Sequence, residues 1–171
     1  MDFYTEDIVS RKKIGKDYFY ITGVVFLALV VFYLGLCFAQ YIGSLFLLFT
    51  VGVGYGAYFL IRRTNIEFEY ILTNGELDID RIVAKRKRKR IITVDAKQFD
   101  FFAPLSNADA KNVSSSSIQQ TIHAEGEIGS DKVYVAVLTH KGIKTCLYVQ
   151  PTEKILAGLE KFIPRRNFFQ S

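Results

Sequence analysis

Hydrophobic and polar positions along this chain follow two different rhythms. From Tyr18 to Ile61, 44 consecutive residues contain no Asp, Glu, Lys or Arg. A helix needs about 20 apolar residues to cross the hydrocarbon of a bilayer, so this stretch holds two crossings and a turn. Polarity and glycine return briefly at Ala39-Gln40-Tyr41-Ile42-Gly43-Ser44, which predicts spans over 19–38 and 45–61. So short a connection makes the spans an antiparallel hairpin, with both flanks on one side of the membrane.

After Arg63 the rhythm becomes the alternation of strands. Ile66, Phe68, Tyr70 and Leu72 share one face, with Glu67 and Glu69 between them. Asn74-Gly75 then supplies the positive φ that a two-residue hairpin turn requires. Further strands are predicted over 77–83, 90–94, 99–102, 118–124, 132–139 and 143–149, the sixth buried on both faces and the last two joined by Lys141-Gly142. The polar stretch 107–117, with its four consecutive serines, reads as a loop. Pro151 suits the first turn of a closing helix, whose Ile155, Leu156, Leu159, Phe162 and Ile163 fall on one side. Pro164 ends it. Seven strands and one amphipathic helix suit a bent sheet or barrel whose open end the helix covers.

Charge orients the hairpin. Arg11, Lys12, Lys13 and Lys16 precede the first span, Arg62 and Arg63 close the second, and the turn carries none. Basic residues flanking a span stay cytoplasmic, so the chain is expected to be a multi-pass protein of the plasma membrane with both termini inside. A cleaved signal is disfavoured, because its apolar core would be only about 7–15 residues and no second span would follow. Leu34-Gly35-Leu36-Cys37 lacks the small residue that lipoprotein acylation needs before the cysteine. From residue 62 onward 18 Lys and Arg face 13 Asp and Glu, whereas the segment before the hairpin balances at four each. Cys37 and Cys146 offer neither a disulfide framework nor metal-ligand spacing.

The strand pattern with its capping helix resembles a pleckstrin-homology-like (PH-like) domain. Together with the hairpin and the Arg11-Lys12-Lys13 leader, the stretch Tyr70-Ile71-Leu72-Thr73-Asn74-Gly75-Glu76-Leu77-Asp78-Ile79-Asp80 is similar to small bacterial two-transmembrane proteins with a cytoplasmic PH-like domain. The resemblance implies a membrane α-hairpin followed by a mainly-β barrel of about seven strands capped by a C-terminal helix. The divisions are 1–17, a basic juxtamembrane segment; 18–63, the hairpin; and 64–171, the PH-like domain. The family brings no catalytic residues to transfer.

Lys85, Arg86, Lys87, Arg88, Lys89 and Arg90 form the sharpest candidate site. Lying between two strands, they are expected at a projecting hairpin end, with lysines and arginines on opposite faces. Anionic phospholipid headgroups are the expected ligand, each cation contributing about 1 kcal/mol near an anionic leaflet. Nucleic acid is disfavoured because no aromatic residue interleaves with the run. The bland alternative is a solvated turn that guards a sheet edge.

Gly52-Val53-Gly54-Tyr55-Gly56 echoes a potassium-channel filter, but a filter rests on a re-entrant loop, and this motif lies inside a span. Gly52 and Gly56, four apart, suit close approach of another helix instead; the partner is the first span, a second copy or another protein. His123 and His140 have no acid or cysteine at ligand spacing, so neither a metal nor a catalytic site is expected. Asp78 and Asp80, with Arg81 nearby, read as a solvated sheet face. Asn112-Val113-Ser114 fits a glycosylation sequon that a cytoplasmic location makes irrelevant. The expected function is therefore non-enzymatic and without a cofactor: a PH-like binding or scaffolding module at the inner leaflet. The alternative is an accessory subunit of a transporter or channel, recognised through its helices.

Overall fold

Of the chain's 171 residues, the computed structural model describes 3–107 and 118–164. The chain folds as two compact units, one of residues 13–65 and one that unites residues 1–12 with 66–171. The helices are thus an insertion inside the β-rich unit. The serine-rich part of the expected loop and the sequon lie outside the described residues.

The helical unit contains α1 (Gly15–Cys37), a one-turn α2 (Ala39–Ile42), a 3₁₀ turn (Gly43–Leu45) and α3 (Phe46–Arg62). The first helix starts four residues before the expected span, because Asp17 Oδ2 accepts a hydrogen bond from Ile14 N at 3.0 Å. A carboxylate in the first turn also complements the helix dipole. Two stretches, Gly15–Cys37 and Ala39–Arg62, are long and apolar enough to cross a membrane. At 1.5 Å per residue, 23 residues span about 35 Å, against about 30 Å of hydrocarbon. Their side chains face outward: Phe19 is 84% and Leu47 74% exposed. Gly35 is the buried residue of α1, and a Cβ there would collide with the Phe49 ring of α3.

The β-rich unit holds eight strands: β1 (Tyr4–Ser10), β2 (Ile66–Thr73), β3 (Glu76–Val83), β4 (Lys87–Asp95), β5 (Phe99–Pro104), β6 (Gln120–His123), β7 (Tyr134–His140) and β8 (Ile143–Val149). They form two four-stranded sheets, ordered β1-β2-β3-β4 and β5-β7-β8-β6, not closed into a barrel. This corrects the expected seven-stranded barrel. The additional strand, β1, lies within the segment expected to be juxtamembrane. Its partner β2 is far away in sequence, with Tyr4 opposite Thr73 and Ser10 opposite Glu67. In the second sheet β6 runs parallel to β8.

Tyr70, Leu72, Leu77, Ile79, Phe99, Phe102, Leu138 and Leu147, each at most 1% exposed, fill the core. The closing helix α4 (Glu153–Phe162) adds Ile155 and Leu159. Pro151 stands ahead of the helix, and its N-cap is Thr152, whose hydroxyl donates to Asp7 Oδ2 of β1 at 2.7 Å. Gly158 lets α4 lie close to the sheet, since a Cβ there would come within 2.6 Å of Leu72 and 2.7 Å of Phe3.

Candidate functional site

The expected basic projection is a short turn followed by a strand. Ala84 and Lys85 make the turn with φ of 54° and 56°, and Arg86 N bonds Val83 O at 3.1 Å. Residues 87–90 already belong to β4 and pair with residues 80–83 of β3. A register shift between Ile79 and Asp80 skips Ile91, so that Ile92 faces Ile79 while Arg90 faces Asp80. That bulge reverses the side-chain alternation. Ile92 and Val94 point to the core beyond it, and Arg88 and Arg90 point to the opposite face before it.

On that outer face the arginines meet carboxylates. Arg88 Nη2 donates to Glu69 Oε1 at 2.6 Å, and its Nε lies 4.0 Å from Asp80. Arg90 donates to Asp80 through Nε and Nη2 and meets Asp78 Oδ1 at 2.6 Å. Thr93 Oγ1 donates to the same Asp78 oxygen at 2.5 Å. Glu69 and Asp80 are only 5% and 3% exposed. A planar guanidinium suits such two-pronged pairing, and the hydrogen bond with Asp80 leads the effects that hold the Arg90 pKa above its ordinary value. Lys85 Nζ approaches Glu67 at 3.8 Å. Half of the expected lipid-binding set is therefore engaged within the protein.

The opposite face of the same strands forms a cleft. Phe68, Arg81 and Lys89 line up across β2, β3 and β4, extending the core-facing row beyond the core. Arg81 and Lys89 are exposed and have no ion-pair partner among the described residues. Like charges directly opposite each other cost roughly 0.2–1 kcal/mol. The cleft, about 460 Å³, is lined by the cations Arg11, Arg81 and Lys89, by the apolar Ile66, Phe68, Ile91 and Ile128, and by Arg90, whose guanidinium is held by Asp78 and Asp80 on the outer face. Arg11 and Ile66 belong to adjacent strand ends, linked by Arg11 N to Ile66 O at 2.9 Å.

His123 and Glu125 complete the lining. Contrary to the expectation of an isolated histidine, His123 Nδ1 lies 2.7 Å from Glu125 Oε1, and its ring stacks on Tyr148 at 4.8 Å. Glu125 is buried, and its Oε2 has no hydrogen-bond partner among the described residues. Next to it Tyr70 donates to Ala124 O at 2.5 Å and accepts from Gln150 N at 3.1 Å; burial raises the Tyr70 pKa strongly. The cleft lining contains no Ser, Thr or Cys nucleophile. It brings together cations, apolar side chains and one buried carboxylate paired with His123. Arg81, Arg11 and Glu125 were not singled out as ligands from the sequence, since each belongs to a different segment and only the strand register unites them.

Gly52 and Gly56 have nothing within 4 Å of an added Cβ. The contacts between α1 and α3 include instead Gly35 against Phe49 and Phe32 against Phe46.

The family described as Bacterial PH-like domain (DUF6106) matches residues 1–169, and the chain belongs to it. No curated protein and no solved structure matches the chain.

Proposed function

We propose that the protein is a non-enzymatic membrane-anchored module that presents its PH-like domain at the inner leaflet, where it binds anionic lipid and serves as a scaffold for a partner protein. One observation carries the reading: the helices are inserted between β1 and β2, two paired strands of one sheet. The domain is therefore tethered to its anchor at two adjacent points rather than by one free linker. Charge supports it. Arg81, Arg86, Lys87 and Lys89 have no ion-pair partner among the described residues, and four such cations near an anionic leaflet contribute about 4 kcal/mol together. With both termini cytoplasmic, as the flanking basic residues favour, these cations meet the anionic surface.

The test uses the full chain in nanodiscs. Amide exchange at the turn of Ala84 and Lys85 is compared in neutral discs and in discs rich in phosphatidylglycerol. Slower exchange in the anionic discs is expected, with the difference lost near 1 M salt, where the screening length falls to about 3 Å. Equal exchange in both discs refutes docking on the leaflet.

The open face at Gly52 and Gly56 favours a second reading, an accessory subunit recognised through its helices. Gly52→Leu with Gly56→Leu should then release a co-purifying membrane protein while the β-rich unit stays folded. Retention of that protein counts against it.

A further inference from the structure

We infer that the cleft between Arg81, Lys89 and the apolar wall is a site for a single phosphate group carried on an amphiphile, a phosphatidate-like headgroup rather than a polyphosphate. The inference deepens the lipid reading above and rests on it for the source of the ligand. Arg81 and Lys89 face each other across β3 and β4 without an ion-pair partner among the described residues, a like-charge contact that a bound anion would relieve. The neighbouring acids Glu69, Asp78 and Asp80 are instead on the other face, paired with Arg88 and Arg90. A guanidinium fork beside an ammonium suits a tetrahedral oxyanion, which can accept two bonds from the first and one from the second.

Two further sides of the cleft narrow the class. Ile66, Phe68 and Ile91 adjoin the cations, and Ile128, 66% exposed, adds an apolar surface that water covers poorly. A free inorganic ion would leave that surface unused; the glycerol and first acyl carbons of a lipid would cover it. Glu125 is buried in the same lining, with Oε2 lacking a hydrogen-bond partner among the described residues. A second phosphate group driven toward that carboxylate would be repelled, which disfavours polyphosphates.

Isothermal titration of the full chain in a neutral maltoside detergent tests this with three probes: dihexanoyl phosphatidic acid below its micelle concentration, inorganic phosphate and pyrophosphate. The short-chain phosphatidate should bind once per chain and at least about tenfold more tightly than phosphate, and pyrophosphate should gain no more than about threefold over phosphate. Arg81→Gln should weaken phosphatidate binding by about tenfold or more, since charge-assisted bonds are lost. Lys154→Gln, an exposed residue of α4 that does not line the cleft, should change it by less than about twofold. Unchanged affinity in Arg81→Gln, with its melting curve intact, overturns the site. Phosphate binding as tightly as phosphatidate overturns the amphiphile, and much tighter pyrophosphate overturns the single phosphate. None of these results depends on whether the domain docks on the leaflet. Loss of exchange protection in nanodiscs with phosphatidate binding intact would refute the docking alone.

Discussion

Neutralising alternate members of one basic run should separate structure from binding. Arg88→Gln and Arg90→Gln each keep most of the stem and remove the guanidinium that covers Glu69 or Asp80. Breaking a fully buried ion pair from one side costs about 3–5 kcal/mol, whereas exposed pairs are worth about 0–1. Here the carboxylates are buried but the arginine side chains are 54% and 46% exposed, so water repairs part of the loss. An intermediate cost of about 2 kcal/mol each follows. For a unit of roughly 100 residues, that lowers the melting temperature by about 8–15 °C. Lys87→Gln and Lys89→Gln, which lack ion-pair partners among the described residues, should shift it by less than about 3 °C; Lys89→Gln should rise slightly, because a like-charge pair is relieved. The assay is thermal unfolding of the detergent-solubilised chain followed by the β-sheet circular dichroism signal. Asp80→Asn combined with Arg90→Gln should recover part of the arginine loss, as expected for coupled neighbours. Equal destabilisation by lysine and arginine variants would refute the division of the run between two faces.

Other perturbations test the surrounding fold. Ala84→Asn with Lys85→Gly should stabilise the β-rich unit by about 1–2 kcal/mol in the same melt, because two residues with side chains leave a left-handed conformation that Asn and Gly adopt at lower cost. Tyr70→Phe leaves Ala124 O and Gln150 N without their phenolic partner and should cost about 2 kcal/mol. Burial pushes the Cys146 thiol up from its ordinary 9.0, so its neutral form is favoured in the fold. The associated stability is complete below pH 9 and is lost as pH rises toward the raised value. Iodoacetamide at pH 8.5 should therefore spare Cys146 in the native chain and modify it in urea. Finally, a fragment of residues 64–171 should fail to melt cooperatively, whereas residues 1–12 joined to 66–171 through a short Asn-Gly turn should fold, as judged by the sharpness of the transition.

Most of the fold was legible where local chemistry decides it. The uncharged run marked both helices, and Asn74-Gly75 and Lys141-Gly142 marked two hairpins whose central residues have positive φ. The turn at Ala84-Lys85 is illegible because neither residue advertises that conformation, so from sequence the basic run reads as connection although β4 already starts at Lys87. The strand β1 was hidden for another reason. Its seven residues carry acids at Glu6 and Asp7, and the strand that completes its ladder begins beyond both helices, so no local period reveals the pairing. Closure was overestimated because alternation reports which face of a strand is buried and not which edges meet.

The candidate site was legible as charge and illegible as geometry. Alternation correctly separates neighbouring lysines and arginines on a regular strand, but it does not say which face holds acids. Here Glu69, Asp78 and Asp80 recruit Arg88 and Arg90, a choice that favours guanidinium over ammonium because two-pronged pairing needs a fork. Without the bulge at Ile91 the arginines would share the face of Ile92 and Val94, and the charges would press into the core. With it, the strand serves two purposes: arginines neutralise the buried acids on one side, while Lys89 stands opposite Arg81 on the other with its charge uncompensated among the described residues. The binding potential of the run therefore resides in how its charges are divided between the faces, rather than in their number.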